Sequence, residues 1–181
     1  MSIQDVIIQR RRRAFDREGW LALFGRIALI ALIAYLVFTQ AFLLTQNHGQ
    51  NMFPALKDGD LCIVYRTGLM ALTGEKLKSG DIITYTCEGQ RLIGRVAAAA
   101  GDIVMITQDG DLSVNGVRQT GEIVFPTYPR DGASYPLKVP EGELFVLGDY
   151  RTQAKDSRDT GTVPVKSVEG KVISILRRRG L

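Results

Sequence analysis

Read as a succession of apolar and polar positions, the chain falls into two unlike parts. From Leu21 to Leu44 aliphatic residues dominate, and Ile27 to Leu44 is a run of 18 residues without a charge, interrupted only by Tyr35, Thr39 and Gln40. As a helix rising about 1.5 Å per residue, that run spans about 27 Å, against about 30 Å for the hydrocarbon core of a bilayer. Leu21 to Arg26 closes the gap: Arg26 can carry its guanidinium back to the interface along its apolar stem, and Trp20 stands at the boundary where interfacial aromatics gather. A buried core helix of this length would consume the core of so short a chain. A cleaved signal peptide would have an apolar stretch of about 7–15 residues ending in a small-residue site, which Thr45-Gln46-Asn47-His48 does not offer. The pattern predicts an uncleaved transmembrane anchor over 21–44, preceded by a basic segment, 1–20, and followed by a separate domain, 45–181.

Beyond the anchor the period changes from helical to strand-like. Short runs rich in Val, Ile, Tyr and Thr alternate with Gly-containing turns: "DLCIVYR" (60–66), "DIITYTC" (81–87), "RLIGRVA" (91–97), "DIVMIT" (102–107), "LSVNGVR" (112–118), "ELFVLGD" (143–149) and "KVISIL" (171–176). Asn115-Gly116 reads as a type I′ hairpin turn, whose two central residues need positive φ. No long helical stripe interrupts these runs, so the domain is predicted to be mainly β and antiparallel. Residues 68–78 and 127–138 read as longer connections.

Charge adds orientation. Arg10, Arg11, Arg12, Arg13 and Arg17 all precede the apolar run, and Lys and Arg beside a span mark its cytoplasmic end. The N-terminus is therefore expected in the cytoplasm and the β-domain outside it. Next to a span, this basic cluster reads as topogenic and not as a nucleic-acid site. Arg177-Arg178-Arg179 reads as a solvated tail or a lipid-headgroup contact. Cys62 and Cys87 fall in the exported domain, where they could pair or remain buried thiols. With His48 the only histidine, two cysteines and one imidazole make a poor zinc set, and neither metal nor cofactor is expected.

Four segments carry a resemblance. "GQNMFPAL" (49–56) aligns with Gly-x-Ser-Met-x-Pro-Thr-Leu through Gly49, Met52, Pro54 and Leu56. "GDIITY" (80–85) is a Gly-Asp followed by an apolar strand. "GRVAAAAGD" (94–102) aligns with Lys-Arg-Val-x-Gly-x-Pro-Gly-Asp through Arg95, Val96, Gly101 and Asp102. "GDYRTQAKDSRDTG" (148–161) aligns with Gly-Asp-Asn-Arg-x-x-Ser-x-Asp-Ser-Arg-x-x-Gly through Asp149, Arg151, Asp156, Ser157, Arg158 and Gly161. In this order behind an N-terminal span, they identify the chain as resembling the type I signal peptidases, membrane-anchored serine proteases that remove signal peptides.

The departures fall on the family's reacting groups. Its nucleophilic serine lands on Asn51, its general-base lysine on Gly94, and the serine that orients the lysine on Ala154. A Ser–Lys dyad needs an attacking hydroxyl and a lysine held neutral; a carboxamide is a poor nucleophile and glycine has no side chain. On this reading the chain is expected not to be an enzyme, with Asp149, Arg151, Asp156, Ser157 and Arg158 as scaffold. The alternative keeps peptidase activity through displaced groups such as His48, Cys62 or Ser157. The resemblance further implies a cleft for an extended polypeptide, formed by Gly49, Gln50, Asn51, Met52, Phe53, Pro54, Gly94 and Arg95, with Met52 and Phe53 either flanking the groove or packed inward. Small side chains over Ala97–Ala100 would widen it. Signal-peptidase-like proteins lacking both dyad residues occur beside the pilus genes of Gram-positive bacteria, so the resemblance implies an accessory or chaperone role at the cell membrane, with a pilin or a sortase as partner. A regulatory partnership with a genuine signal peptidase is a third reading.

Overall fold

The computed structural model describes residues 3–121, 123 and 125–177, with side chains from Gly19 onward. The side chains of Arg10–Arg13 and Arg17, and all of Arg178 and Arg179, lie outside the described residues. The chain divides into two units, Met1–Gln40 and Ala41–Leu181.

The described residues of the first unit lie in one helix, α1 (Ile3–Ala41). Its segment Gly19–Ala41 has mean hydropathy 2.4, and its side chains from Gly19 to Phe38 are exposed on every side. A helix apolar all round has no polar face to turn to water, which suits a lipid-facing span. The sequence carried the apolar run on to Leu44, but the helix stops at Ala41 and the chain turns directly into a strand, β1 (Phe42–Gln46). Aliphatic continuity alone could not mark that boundary, because a half-buried strand there uses the same residue types.

The second unit is built on a seven-stranded antiparallel sheet in which β1 is one edge. Inward from it lie β2 (Leu61–Arg66), β11 (Val168–Leu176), β3 (Ile82–Cys87), β4 (Gln90–Ala99) and β9 (Glu143–Leu147), ending at β10 (Val163–Pro164). A smaller sheet orders β7 (Val117–Arg118), β6 (Leu112–Val114), β5 (Ile103–Ile106) and β8 (Leu137–Lys138). Asn115 and Gly116 take φ of 52° and 78° between β6 and β7, as the hairpin signal required.

β9 is buried along almost its whole length because it serves two cores. Phe145 and Leu147 pack with Ala97, Ala98 and Val139 against Val104, Ile106, Leu112 and Val114 of the small sheet. The alternate residues Leu144 and Val146 pack with Ile83, Tyr85, Val96, Val163 and Val168. Met52, Leu56, Cys62 and Val64 form a third cluster beneath the loop that follows β1. Two further helices are short: α2 (Thr67–Thr73), inside a stretch that reads as loop in sequence, and α3 (Ser157–Thr160). Both cysteines are free. β11 lies between β2 and β3, so two ladder spacings, roughly 9–10 Å, separate their strands, beyond the reach of a disulfide.

Candidate functional site

The site forms where β9 leaves β4. β4 is paired with β3 from Gln90 to Arg95, but its pairing with β9 begins only at Arg95. Arg91, Leu92 and Ile93 therefore have a strand on one flank alone among the described residues. Facing that flank is the end strand β1, which pairs only with β2. Thr45, Gln46, Asn47, His48 and Asn51 on one side and Arg91, Leu92 and Ile93 on the other enclose a groove of about 160 Å³. Two strand edges thus look into one cleft, the arrangement that accepts an added strand.

Local bonding holds the 49–60 loop in place. Asn47, 3 % exposed, donates from Nδ2 to the carbonyls of Gly49 and Lys57 at 3.2 and 3.0 Å. Asp58 accepts the Gly49 N–H at 2.8 Å, and Asp60 accepts that of Lys57 at 2.9 Å. The Asn51 carbonyl accepts the Tyr150 N–H at 3.0 Å, fastening the loop to the turn after β9. Gly148 makes this approach possible: a Cβ there would lie 2.7 Å from the Asn51 carbonyl oxygen and 2.3 Å from the Ala154 Cβ. Asn51, Gly148 and Ala154 are thus brought together.

Gly94 stands beside this junction, and its missing side chain has no vacant place waiting for it. A Cβ at 94 would meet Val146 Cγ1 at 2.5 Å and Tyr85 Cε1 at 3.3 Å. Burial, and then Asp156 and Cys87, push the Tyr85 phenol well above its usual range. The space into which a side chain at 94 would grow is filled by a tyrosine and a valine of the core.

The frame behind the junction is charged and closely bonded. Asp149, 1 % exposed, accepts from Arg95 Nε and Nη2 at 2.8 and 2.6 Å, while Arg95 Nη1 donates to the Gly80 carbonyl at 2.9 Å. Asp156 accepts from Arg158 Nε and Nη2 at 2.9 and 2.8 Å and from the Gly148 N–H at 3.0 Å. It also caps α3 by accepting the Arg158 N–H at 3.1 Å, while Asp159 accepts the Asp156 N–H in return. Ser157 Oγ accepts the Val146 N–H at 3.0 Å, and Arg158 Nη2 donates to the Arg151 carbonyl at 2.6 Å. These bonds tie the 148–158 segment to β4 through Arg95, to β9 through Ser157, and to itself through Asp156 and Arg158.

Of the residues singled out in sequence, Gly49, Gln50, Asn51, Phe53 and Pro54 lie on the loop, and Gly94 and Arg95 on β4. Met52 is wholly buried in the third core cluster and faces no groove; Phe53 is 38 % exposed and meets Phe125 and Tyr150 at ring-centroid distances of 6.5 and 5.9 Å. Cys62 is buried, its thiol pushed up to about 11 by burial and then Asp60, and Ser157 is committed to the Val146 N–H, so neither stands in the groove. His48 does. Sequence reading missed Thr45, Asn47, Arg91, Leu92, Ile93 and Tyr85, whose roles arise from strand pairing across long separations. The one usable signal was the strand period of Phe42–Gln46, hidden against the apolar helix. Among the described residues, no three His, Cys, Asp or Glu side chains gather into a group that could hold a metal.

Residues 19–176 match the family described as "Signal peptidase, peptidase S26". The chain is 32 % identical over 158 residues to signal peptidase I of Bacillus licheniformis, covering 79 % of this chain and 82 % of that protein. It is 31 % identical over 158 residues to the probable thylakoidal processing peptidase 2 of Arabidopsis thaliana, covering 82 % of this chain but only 42 % of that longer protein. A solved signal peptidase I from Enterococcus faecalis V583 superposes with TM-score 0.47 at 32 % identity, covering 55 % of this chain and 97 % of that one.

These relatives correct the expectation that the chain is not an enzyme. Proteins about 30 % identical to it bear the names of signal peptidases, and the departures at Asn51, Gly94 and Ala154 do not establish inactivity. The physical reason is that a motif argument tests one placement of nucleophile and base. It does not say which other hydroxyl and imidazole groups the fold brings to the same groove: His48, considered in sequence, lines it, and so does Thr45, which was not.

Proposed function

Because the chain belongs to the signal peptidase S26 family, we propose that its β-domain receives an extended segment of an exported polypeptide in the groove between the β1 and β4 edges, next to Asn51. The observation that carries this reading is the pair of strand edges, Thr45–His48 and Arg91–Ile93, facing one cleft. A segment laid between them gains main-chain hydrogen bonds on both sides, and its alternate side chains point into the walls. Gly49, Gln50, Asn51, Phe53, Pro54, Gly94 and Arg95 border this path. The anchor, expected over 21–44 and helical as far as Ala41, holds at the bilayer the domain whose first strand is Phe42–Gln46. Arg10–Arg13 and Arg17, within the N-terminal segment 1–20, keep that end cytoplasmic and place the groove outside the cell membrane.

In this reading the bound polypeptide belongs to pilus assembly, a pilin or the sortase that joins pilins, and the chain serves as an accessory factor that presents it. Support comes from the resemblance to signal-peptidase-like proteins encoded beside pilus genes and from the substitutions at 51, 94 and 154. A second reading, favoured by the relatives' names, is cleavage of exported preproteins by groups displaced from positions 51 and 94; the hydroxyl and imidazole lining the groove are those of Thr45 and His48.

The test is to incubate the full chain in lipid nanodiscs with a pilin, a sortase and an exported preprotein in separate arms, and to analyse complexes and products by mass spectrometry. The accessory reading expects an intact complex with pilin or sortase. The second expects a preprotein cut at its signal peptide, with the cut lost in Thr45→Val or His48→Ala. Neither complex nor product in any arm overturns both.

A further inference from the structure

A cavity of the β-domain larger than the groove lies apart from it. It encloses about 730 Å³ between the turn before β3, the middle of β4 and the loops flanking the small sheet, and none of its described lining residues lines the groove. Arg151 is on its wall. That residue is only 5 % exposed, yet among the described residues its side chain makes one hydrogen bond, from Nη1 to the Thr127 hydroxyl at 2.8 Å. Its Nε is buried without a partner. A guanidinium has five N–H donors, and leaving them unused in a buried place is costly unless an anion answers them.

The neighbouring arginines are already answered. Arg95 grips Asp149 through two nitrogens, and Arg118 pairs with Asp111. Burial draws the Arg151 guanidinium down to about 10, with Asp149 and Asp156 pulling the other way; both carboxylates are hydrogen-bonded to other residues. Asp109 and Asp111 also line the cavity. They set a limit on the ligand: with Asp111 paired to Arg118, a doubly charged phosphate would meet the Asp109 carboxylate and, among the described residues, one cation without a carboxylate partner, whereas a single negative charge matches that cation. A planar carboxylate also fits the guanidinium fork.

We propose that this cavity is a carboxylate-binding site, separate from the groove, which seats one acidic group of a peptide on the Arg151 guanidinium with Thr127 holding the guanidinium plane. The carboxylate comes from an aspartate or glutamate side chain or from a free C-terminus. The site stands whether or not the groove reading does: Arg95, which borders the groove's path, also lines the cavity, but its side chain is committed to Asp149 and the Gly80 carbonyl, and Arg151 and Thr127 take no part in the groove.

The test uses fluorescently labelled peptides and the full chain in nanodiscs, read by anisotropy at low salt. Acetyl-Ala-Ala-Glu-Ala-Ala-amide is compared with its Gln counterpart, and acetyl-pentaalanine with a free carboxylate is compared with its amide. At least tenfold tighter binding of the charged member is expected in one pair or both; the first pair alone identifies a side chain, the second alone a C-terminus. Gln119→Trp, an exposed lining position, should abolish the preference by filling the cavity, and Arg151→Gln should abolish it while the melting curve shows the domain folded. Leu92→Trp, which blocks the groove, should leave it intact. Equal binding within both pairs overturns the proposal whatever the variants do, as does a preference that survives in folded Arg151→Gln or vanishes in Leu92→Trp.

Discussion

On one side of the Asn51 backbone lies the segment Gly148–Arg158, where Asp149, Asp156 and Arg158 are buried to within 2 % of complete and each is held by an opposite charge, Asp156 and Arg158 by further hydrogen bonds as well. On the other side lies the groove, whose described walls are neutral side chains apart from Arg91 and the imidazole of His48. The contrast teaches which substitutions a fold can absorb. Taking a charge out of water costs several kcal/mol unless it is fully answered, so the frame holds only while all its members stay together. Asn51, Gly94 and Ala154 carry no such debt to their neighbours, and their identities can change while the scaffold persists. Likeness of fold therefore follows the frame, and chemistry must be sought in the groove.

The contrast breaks most severely if the frame is cut. Asp156→Ala removes the acceptor of Arg158, of the Gly148 N–H and of the α3 cap, leaving a buried cation alone; a loss of about 3–5 kcal/mol is expected in urea melts of the full chain in detergent. A loss below about 1 kcal/mol would mean that the frame is not what holds the segment.

Next in size is an attempt to rebuild the family's reacting pair. Gly94→Lys forces a side chain against Val146 and Tyr85, and overpacking of this kind costs about 1–3 kcal/mol. Asn51→Ser with Gly94→Lys should leave preprotein cleavage at the rate of the natural chain, and adding Val146→Ala should recover part of the stability. A large gain in cleavage by the double variant would show that the amine finds its place after all.

Smaller effects probe the groove's own supports. Asn47→Ala removes two bonds to the loop carbonyls and should cost about 1–2 kcal/mol, with faster amide exchange confined to residues 49–57. Cys62 gives the smallest and most specific signal. Its folded value, about 11, lies above the ordinary 9.0, so the folded state holds that proton longer than the unfolded one. The associated stability is complete below pH 9 and is lost as pH rises toward 11. Cys62→Ser should flatten that part of the pH–stability curve, and Cys87 should alkylate before Cys62 at pH 8.

Much of this was legible in the sequence, for reasons that differ by region. The strands over 60–66, 81–87 and 143–149 announced themselves because each carries branched apolar residues between glycine turns, and the frame because its charged residues sit in one continuous motif. β1 was not legible, since Phe42–Leu44 prolong an apolar helix without a break, and α2 was not, since seven residues are too few for a period. The groove escaped because its walls come from segments 40 or more residues apart, and their meeting depends on β9 parting from β4 at Arg95. Met52 was read as facing the groove or the core, and only burial decides it for the core. The expectation that the chain is not an enzyme rested on three positions, and relatives about 30 % identical that bear the names of signal peptidases overturn it.

The most direct measurement places a photo-crosslinking phenylalanine analogue at Gln46 and at Leu92, on the two facing edges, and at Leu72, which is 82 % exposed on α2, as control. With the full chain in nanodiscs and an exported polypeptide in solution, the account predicts crosslinks from both groove positions to the same stretch of a few residues of that polypeptide, and none from Leu72. Crosslinks from all three positions at similar yield, or from neither edge, would contradict it.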